Sequence, residues 1–522
     1  MNKPSARTAA GALIGLLSAG VALGVGELAA ALVRPASSPI IVVGNRLILL
    51  TPERVKRWAI GVFGTGDKHA LLTGSYIGLA VASVLIGLLA LRRLSYGLVG
   101  VAALGAFGGY CALTSHAHRS SDVLPSVIGA VAGMVVLTML QRAVTGSEPA
   151  PAGALQTGSP LADRRRFLQG GVTAAAVAVL GTVVGRSWQH ARFNANAARA
   201  AITLPEPVAD SGVAPGATGP NSYDLGKSGV PFQTPSADFY RIDTALSVPQ
   251  LDPKTWSLRI HGKVKREIRL TYQQLLDRPL VERWMTLTCV SNEVGGDLIS
   301  NGLFRGALLA DLLREAGIDP SADQLLATSS DGMTIGSPTA VVMDGRDAML
   351  AVGMNGEPLP VEHGFPVRMV VPGLYGYVSA CKWIVDLEAT TFAAARAYWV
   401  QGGWAAQGPI KLESRIDRPT GSQTVAVGSQ VVVAGIAWDQ HVGVSKVEVQ
   451  VDDGPWQQAM LAPVPSIDTW RQWVVLWTPT SAGQHRLRVR AYDSTGRQQD
   501  ATDTDPFPSG ATGLHSVTVR AR

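Results

Sequence analysis

The sequence predicts three architectures in succession: an all-α transmembrane bundle, an α+β domain and an all-β sandwich. Three observations predict this order. Long apolar runs are confined to the chain before Gly185, and roughly twenty consecutive apolar residues are what a helix needs to cross a bilayer. Between Phe239 and Trp404 short strand-like runs alternate with helix-like pieces under heavy Gly and Pro punctuation, the pattern of an α+β domain. After Gly408-Pro409 a period of two takes over, as expected of strands with one buried and one wet face. At 522 residues the chain is too long for a single core, and we divide it at 1–145, 146–193, 194–235, 236–407 and 408–522.

Composition narrows the class. Hydrophobic residues make up 47% of the chain and the formal charge is +6. The basic residues are scattered or flank apolar runs, so they read as membrane-topology signals and not as a nucleic-acid patch. With only Cys111, Cys289 and Cys381 there is no disulfide framework, and each is judged as a thiol or a ligand.

Four spans are expected in the first segment, at 9–33, 70–91, 95–113 and 123–140. Lys3 and Arg7 suit a cytoplasmic start, and no small-residue cleavage site follows, so the first run is expected to remain a span. Arg92-Arg93 and Arg142 mark one side of the membrane, His116-Ala117-His118-Arg119 the other. The intervening 34–68 is rich in positive charge, and part of it is expected to lie on the surface as an amphipathic helix. A fifth span, 167–184, follows Asp163-Arg164-Arg165-Arg166-Phe167-Leu168-Gln169. That cluster is similar to a twin-arginine export signal; the alternative reading is a plain positive-inside anchor. Either way, five spans place everything after Gly185 outside the cytoplasmic membrane. His69, His116 and His118 read as interfacial residues, because histidines two apart point away from each other on a helix, and Cys111 reads as packing. Glu27, near a span end, is the clear ionisable residue of the spans, which favours anchoring over a conduit or transporter role. The segment 194–235, rich in Ala, Pro, Gly and Ser, is a linker.

In the α+β domain, strands are expected at 256–261, 284–288, 340–343 and 366–371, and helices at 270–276 and 308–316. The alternation through Trp284-Met285-Thr286-Leu287-Thr288 delivers Cys289 to the point where a strand yields to a polar loop holding Gly295-Gly296. A lone cysteine is ordinarily a small buried hydrophobe, but this one stands among specific surroundings. Phe239-Tyr240-Arg241-Ile242-Asp243 precedes it, Gly302-Leu303-Phe304-Arg305-Gly306 and Asp311-Leu312-Leu313 follow, and His363-Gly364-Phe365-Pro366-Val367-Arg368 with Pro372-Gly373 comes later.

In this order, residues from about 230 to 520 resemble the sulfite oxidase family of molybdopterin enzymes, including its immunoglobulin-like dimerisation domain. The resemblance implies a molybdenum-molybdopterin cofactor, with the metal held by a pterin dithiolene and one cysteine thiolate, a soft donor suited to it. Cys289 then maps onto the metal ligand and, with Arg241, onto the catalytic residues. Phe239, Tyr240, Arg241, Asn292 of the Cys-x-x-Asn pattern, Asp331, His363, Arg368, Ser379 and Lys382 map onto cofactor-binding positions. Arg offers the pterin phosphate a bidentate fork and Lys a point charge. Two-electron, oxygen-atom-transfer chemistry on a small oxyanion, sulfoxide or similar molecule is implied. With no C-x-x-C-H haem motif present, electrons would pass to a separate partner.

Several positions depart from the family pattern. Its Asn-His pair is Ile242-Asp243 here, its Arg pair after Asn292 is Glu293-Val294, and Val352 stands where an active-site Tyr is expected. The stretch Gly376-Tyr377-Val378-Ser379-Ala380-Cys381-Lys382-Trp383 is one residue longer and lacks its Arg. These losses remove cationic donors that a sulfite dianion needs.

The last segment gives strands at 431–438, 446–451, 470–477, 486–492 and 515–520, with Asp452-Asp453-Gly454 as a turn, the pattern of an immunoglobulin-like sandwich. The resemblance implies a homodimer through it. Its loop Asp439-Gln440-His441-Val442-Gly443-Val444 lacks the family's substrate-binding Arg. The rival reading is a cell-surface binding or assembly protein that keeps the fold without the chemistry.

Overall fold

The computed structural model describes residues 3–52, 55, 62, 67–115, 119–145, 160–192, 194–209, 229–421 and 423–522. The chain forms two compact units, one of residues 1–194 with 245–248, the other of 195–244 with 249–522.

In the first unit the helices are α1 (Lys3–Val33), α2 (Pro39–Leu50), α3 (Asp67–Arg92), α4 (Leu94–Leu113), α5 (Leu124–Thr145) and α6 (Pro160–Arg192). Among the described residues, five segments are long and apolar enough to cross a membrane: Arg7–Val33, Lys68–Arg92, Leu94–Leu113, Ser120–Thr145 and Phe167–Trp188. Helix α1 packs against α3, α5 and α6, and small residues set how closely. A Cβ on Gly15 would fall 1.8 Å from the Ser83 carbonyl oxygen, and one on Gly87 2.0 Å from that of Gly11. Backbone therefore meets backbone at the α1–α3 crossing, as small residues permit between membrane helices. Glu27 is buried and accepts a 2.6 Å hydrogen bond from Ser38 Oγ, while Arg34 Nε donates to Asp122 Oδ1 at 2.8 Å. Cys111 packs with Val42 and Ala112.

Helix α2 is apolar, with Ile40 and Val42 buried, so 39–50 is packed; residues 53–54, 56–61 and 63–66 of the segment expected to hold a surface amphipathic helix lie outside the described residues. His116, His118 and residues 210–228 of the expected linker lie outside the described residues; its described ends are not linker, since Ala195–Ala200 is helical and Leu204, Val230 and Phe232 are buried in the core of the second unit.

The second unit opens with an α+β part. Its strands are β1 (Ser257–Gly262), β2 (Ile268–Thr271), β3 (Leu280–Thr288), β4 (Ile299–Leu308), β5 (Gln324–Ser329), β6 (Thr334–Pro338), β7 (Met349–Met354), β8 (Glu357–Pro358), β9 (Arg368–Val370) and β10 (Ile384–Thr390). They form two sheets, ordered β2-β1-β10-β5-β6 and β3-β4-β7-β8, with β9 pairing β7. The helix Leu309–Ala316 buries Leu309, Leu312, Leu313 and Ala316, one stripe at helical spacing. It ends on Gly317 at φ +67°, where the Ile318 N–H bonds the Leu313 carbonyl, as in a Schellman cap. Residues 340–343, expected as a strand, lie in the helix Thr339–Val342 and its cap. The helix expected at 270–276 begins only at Tyr272, because Thr271 closes β2 and caps the helix through Gln274.

The remaining strands are β11 (Glu413–Arg418), β12 (Thr424–Val425), β13 (Val431–Trp438), β14 (Val444–Val451), β15 (Trp456–Gln458), β16 (Met460–Leu461), β17 (Arg471–Trp477), β18 (Gly483–Asp493) and β19 (Ser516–Ala521). They make two sheets, β11-β13-β17-β16 and β12-β19-β18-β14-β15. Val433, Val447, Val449, Trp473, Leu487 and Val489 fill the space between them. Trp438, Trp470 and Ile436 instead join the core of the α+β part, so this face of the sandwich is continuous with it.

Hydrogen bonds fix that junction onto β3. The Thr286 N–H donates to the Asp468 carbonyl at 2.9 Å, and Thr286 Oγ1 accepts from the Trp470 N–H at 2.7 Å while donating to Asn301 Oδ1 at 2.8 Å. Gln440 Nε2 donates to the Thr286 carbonyl and to Thr288 Oγ1. Thr286→Val keeps shape but strands a buried donor. We expect a loss of about 1–3 kcal/mol, read as a lower thermal midpoint of the purified chain. An unchanged midpoint would show that the junction does not depend on this bond.

Candidate active site

Strand β3 pairs with β4 from Leu280↔Ala307 to Thr288↔Ile299, and the ladder stops just before Cys289. The chain then closes a loop on itself. The Cys289 N–H donates to the Leu298 carbonyl at 2.9 Å, the Asn292 N–H to the Cys289 carbonyl at 3.1 Å, and the Leu298 N–H to Asn292 Oδ1 at 2.8 Å. A Cβ on Gly296 would lie 2.8 Å from Asn292 Oδ1, so glycine is what allows the amide into the loop. Burial pushes the Cys289 thiol up, while the Ser291 N–H and hydroxyl and the Lys382 charge pull the other way.

Phe239 and Tyr240 form one wall, stacked with centroids 5.8 Å apart. Phe239 also meets Phe304 and His363 edge-on at 6.1 and 5.6 Å. The Tyr240 N–H is held by Ser300 Oγ at 3.0 Å, and burial raises its phenol, with the Cys289 charge next. Arg368 is buried; desolvation pushes it down to about 10, which leaves it charged at neutral pH, and its Nε has no hydrogen-bond partner among the described residues. Lys382 Nζ donates to Asp243 Oδ2 at 2.9 Å, as does Arg241 Nε. Burial pushes Lys382 down to about 8 against the pull of Asp243. The Ile242-Asp243 departure thus puts a carboxylate between two of the expected cofactor cations.

His363 is buried, its Nε2 donating to the Ser236 carbonyl at 3.2 Å, and burial together with Arg368 and Lys382 pushes it down to about 3. It is neutral, with Nδ1 left as an acceptor. Asp331 sits on the turn between β5 and β6, accepting from the Met333 N–H at 3.1 Å, and its charge acts on Cys381. Ser379 is fully buried and its hydroxyl faces the Leu374 and Tyr375 carbonyls, which shapes a turn and leaves the hydroxyl turned to backbone. Val352 is fully buried in β7.

The donor set fits an anionic, polar cofactor. Among the described residues, Arg368 Nε, Ser329 Oγ and Ser330 Oγ are buried without hydrogen-bond partners, and such atoms are rare unless something else answers them. Ser330 directly precedes Asp331, and its N–H bonds the Trp383 carbonyl next to Lys382. Three neighbours of the cysteine escaped the sequence reading. Tyr375, buried, has its phenol raised by desolvation and by the Glu413 and Cys289 charges. Glu413 is buried beside the Asn292 amide and pushed up to about 8 by desolvation. Gln440 reaches Thr288 and leaves Oε1 unpartnered. Their signals are faint: Tyr375 stands just before the stretch 376–383 that is one residue longer than the family's, Glu413 is an acid opening a strand, and Gln440 lies in the loop that lacks the family's Arg.

With this geometry in place, comparison with known proteins defines the class. Residues 245–399 match the oxidoreductase molybdopterin binding domain and 413–489 the bacterial Ig domain. The chain therefore carries a molybdopterin-binding oxidoreductase domain followed by an Ig-like domain, and the cofactor it indicates is molybdenum-molybdopterin. The relatives are more specific. Human mitochondrial sulfite oxidase is 30% identical over 291 residues, 47% of this chain and 53% of that one. Nitrate reductase [NADH] 1 from Oryza sativa subsp. japonica is 34% identical over 194 residues, 32% of this chain and 21% of that one. This part of the molecule is thus similar to sulfite oxidases and to a nitrate reductase. The chain spans about half the length of the mammalian sulfite oxidases it matches. The crystal structure of the sulfane dehydrogenase SoxCD from Paracoccus pantotrophus has a TM-score of 0.49 at 24% identity, covering 56% of this chain and 82% of that one.

The depressed His363 makes a pH prediction. Its folded pKa lies below the unfolded one, so the unfolded chain takes the proton first and stability is lost as pH falls from about 6.5 toward 3. His363→Gln is expected to remove up to ~1.4 kcal/mol per pH unit from that decline, read from urea midpoints across the range. An identical slope in the variant would contradict the neutral assignment.

Proposed function

We propose that this chain is a membrane-anchored molybdenum-molybdopterin oxidoreductase of the sulfite oxidase type, with Cys289 as the protein ligand to the metal. The observation that carries this is a buried thiol at a strand end whose ionic surroundings are Lys382 and, across Tyr240, Arg368. When bound, the cofactor supplies two-electron, oxygen-atom-transfer chemistry. The chain supplies the rest. Ser291 donates to the Cys289 sulfur and stabilises the thiolate a soft metal needs. Arg368 and Lys382 would answer the anionic pterin tail, while the neutral His363 and the Phe239–Tyr240 wall would line the site without adding charge. Asp331 closes this side, and Ser379 sets the turn that carries Lys382. Arg241, half-exposed and shared with Asp243, is the proposed substrate-side cation.

The substrate is a small oxyanion, sulfoxide or similar molecule. Nearby cations are already engaged: Arg415 on the Gly296 carbonyl and Asp417, Lys411 on the Gly510 carbonyl, Arg241 and Lys382 on Asp243. That pairing counts against a dianion as the preferred substrate. Electrons pass to a separate partner, and the five apolar helices anchor the catalytic part outside the cytoplasmic membrane, with the twin-arginine-like cluster at the head of the fifth. A homodimer through the Ig-like domain remains part of the proposal. The non-catalytic reading draws its support from Asp243, which occupies two cofactor cations.

Purified from a host that makes the pterin, the full chain is expected to contain molybdenum in equal amount to protein. Cys289→Ala should lose it, while Cys381→Ala keeps it, by elemental analysis. Metal retained in Cys289→Ala would overturn the ligand assignment. The full chain is also expected to stay with membranes after alkaline carbonate washing, and its C-terminal part to be cut by protease added to spheroplasts. Protection there would reverse the orientation.

A further inference from the structure

The first strand of the Ig-like domain lies against the loop that follows Cys289. Residues two apart on a strand share a face, and on β11 these are Glu413 and Arg415. Arg415 Nη1 donates to the Gly296 carbonyl at 2.7 Å, and Arg415 is itself held by Asp417 through Nε at 2.5 Å. Glu413, 4% exposed, stands beside the Asn292 amide. Neither Glu413 Oε1 nor Asn292 Nδ2 closes a hydrogen bond with any other group among the described residues. His515 completes the grip. Its Nδ1 accepts from the Ile416 N–H at 3.0 Å, and its ring covers Gly295, where a Cβ would fall 2.2 Å from Cδ2. Gly295 stands at φ +77°, so no other residue fits there without strain.

We propose that β11 is a clasp on the ligand loop, with Glu413 and Arg415 as positioning residues that act through Asn292 and Gly296 to fix where the Cys289 sulfur points. The second domain is thereby part of the metal site without touching the metal. The loop has two glycines in succession and exposed Ser291, Glu293 and Asp297, so little else restrains its outer side. Burial of an acid next to an unanswered amide costs stability unless the two face each other, and holding the loop is the gain that arrangement delivers.

The inference takes Cys289 as the ligand from the reading above, but its first test needs no metal. The full chain is made without pterin and treated with iodoacetamide, and alkylation of Cys289 and Cys381 is followed by peptide mapping. Cys381, also buried, reports general loosening. Glu413→Ala and Arg415→Ala are expected to speed Cys289 alkylation by about tenfold through easier local opening, with Cys381 unchanged. Glu413→Gln, whose carbonyl still faces Asn292, should behave as the wild type. In the loaded protein the alanine variants should shift the sulfur-to-molybdenum absorption at unchanged metal content, and Glu413→Gln should not. An unchanged Cys289 rate in both alanine variants, a parallel rise at Cys381, or a Glu413→Gln variant indistinguishable from Glu413→Ala would each overturn the clasp.

Discussion

The site depends on the closure of one loop by one amide. Where the β3–β4 ladder ends, Asn292 Oδ1 takes the Leu298 N–H and keeps Cys289 at the mouth of the strand pair. A strand alternates its side chains across the sheet, so without this closure the cysteine would be one more position on a β surface. With it, the thiol is set where the buried Lys382 charge, itself paired with Asp243, reaches it.

The two flanks of the cysteine differ in chemistry. On one, Arg368 and Lys382 are desolvated and pushed down while the neutral His363 and the aromatic wall add shape. On the other, Tyr375, Glu413 and Gln440 bring protonated or neutral groups. The first flank suits an anionic cofactor. The second does not resemble a site built for a dianion, which agrees with the arginines missing from the sequence pattern. Asp243 is the point of tension. Paired with Lys382 and Arg241, it lowers the net charge the cofactor meets while holding both cations in place.

What the sequence made legible follows the range of the interactions. Period-two alternation and a Gly-Gly loop are local, and they placed the β3 end and Cys289. The apolar helices were legible because length and composition alone define them. Ala340–Met343 misled because a short apolar run fits a strand or a buried helical turn equally well, and Thr339–Val342 is the latter. Glu413, Tyr375 and Gln440 were invisible because each is ordinary in its own segment, and only tertiary packing brings them to the residue at 289. Ser379 shows the converse: in register with the family pattern, yet its hydroxyl faces its own turn.

The central claim is a bond between the Cys289 sulfur and molybdenum, and X-ray absorption at the molybdenum edge tests it most directly. The account predicts a sulfur shell from the pterin dithiolene plus one protein sulfur in the wild-type chain, and one sulfur fewer in Cys289→Ser at equal metal loading. An identical sulfur shell in the two proteins would contradict it.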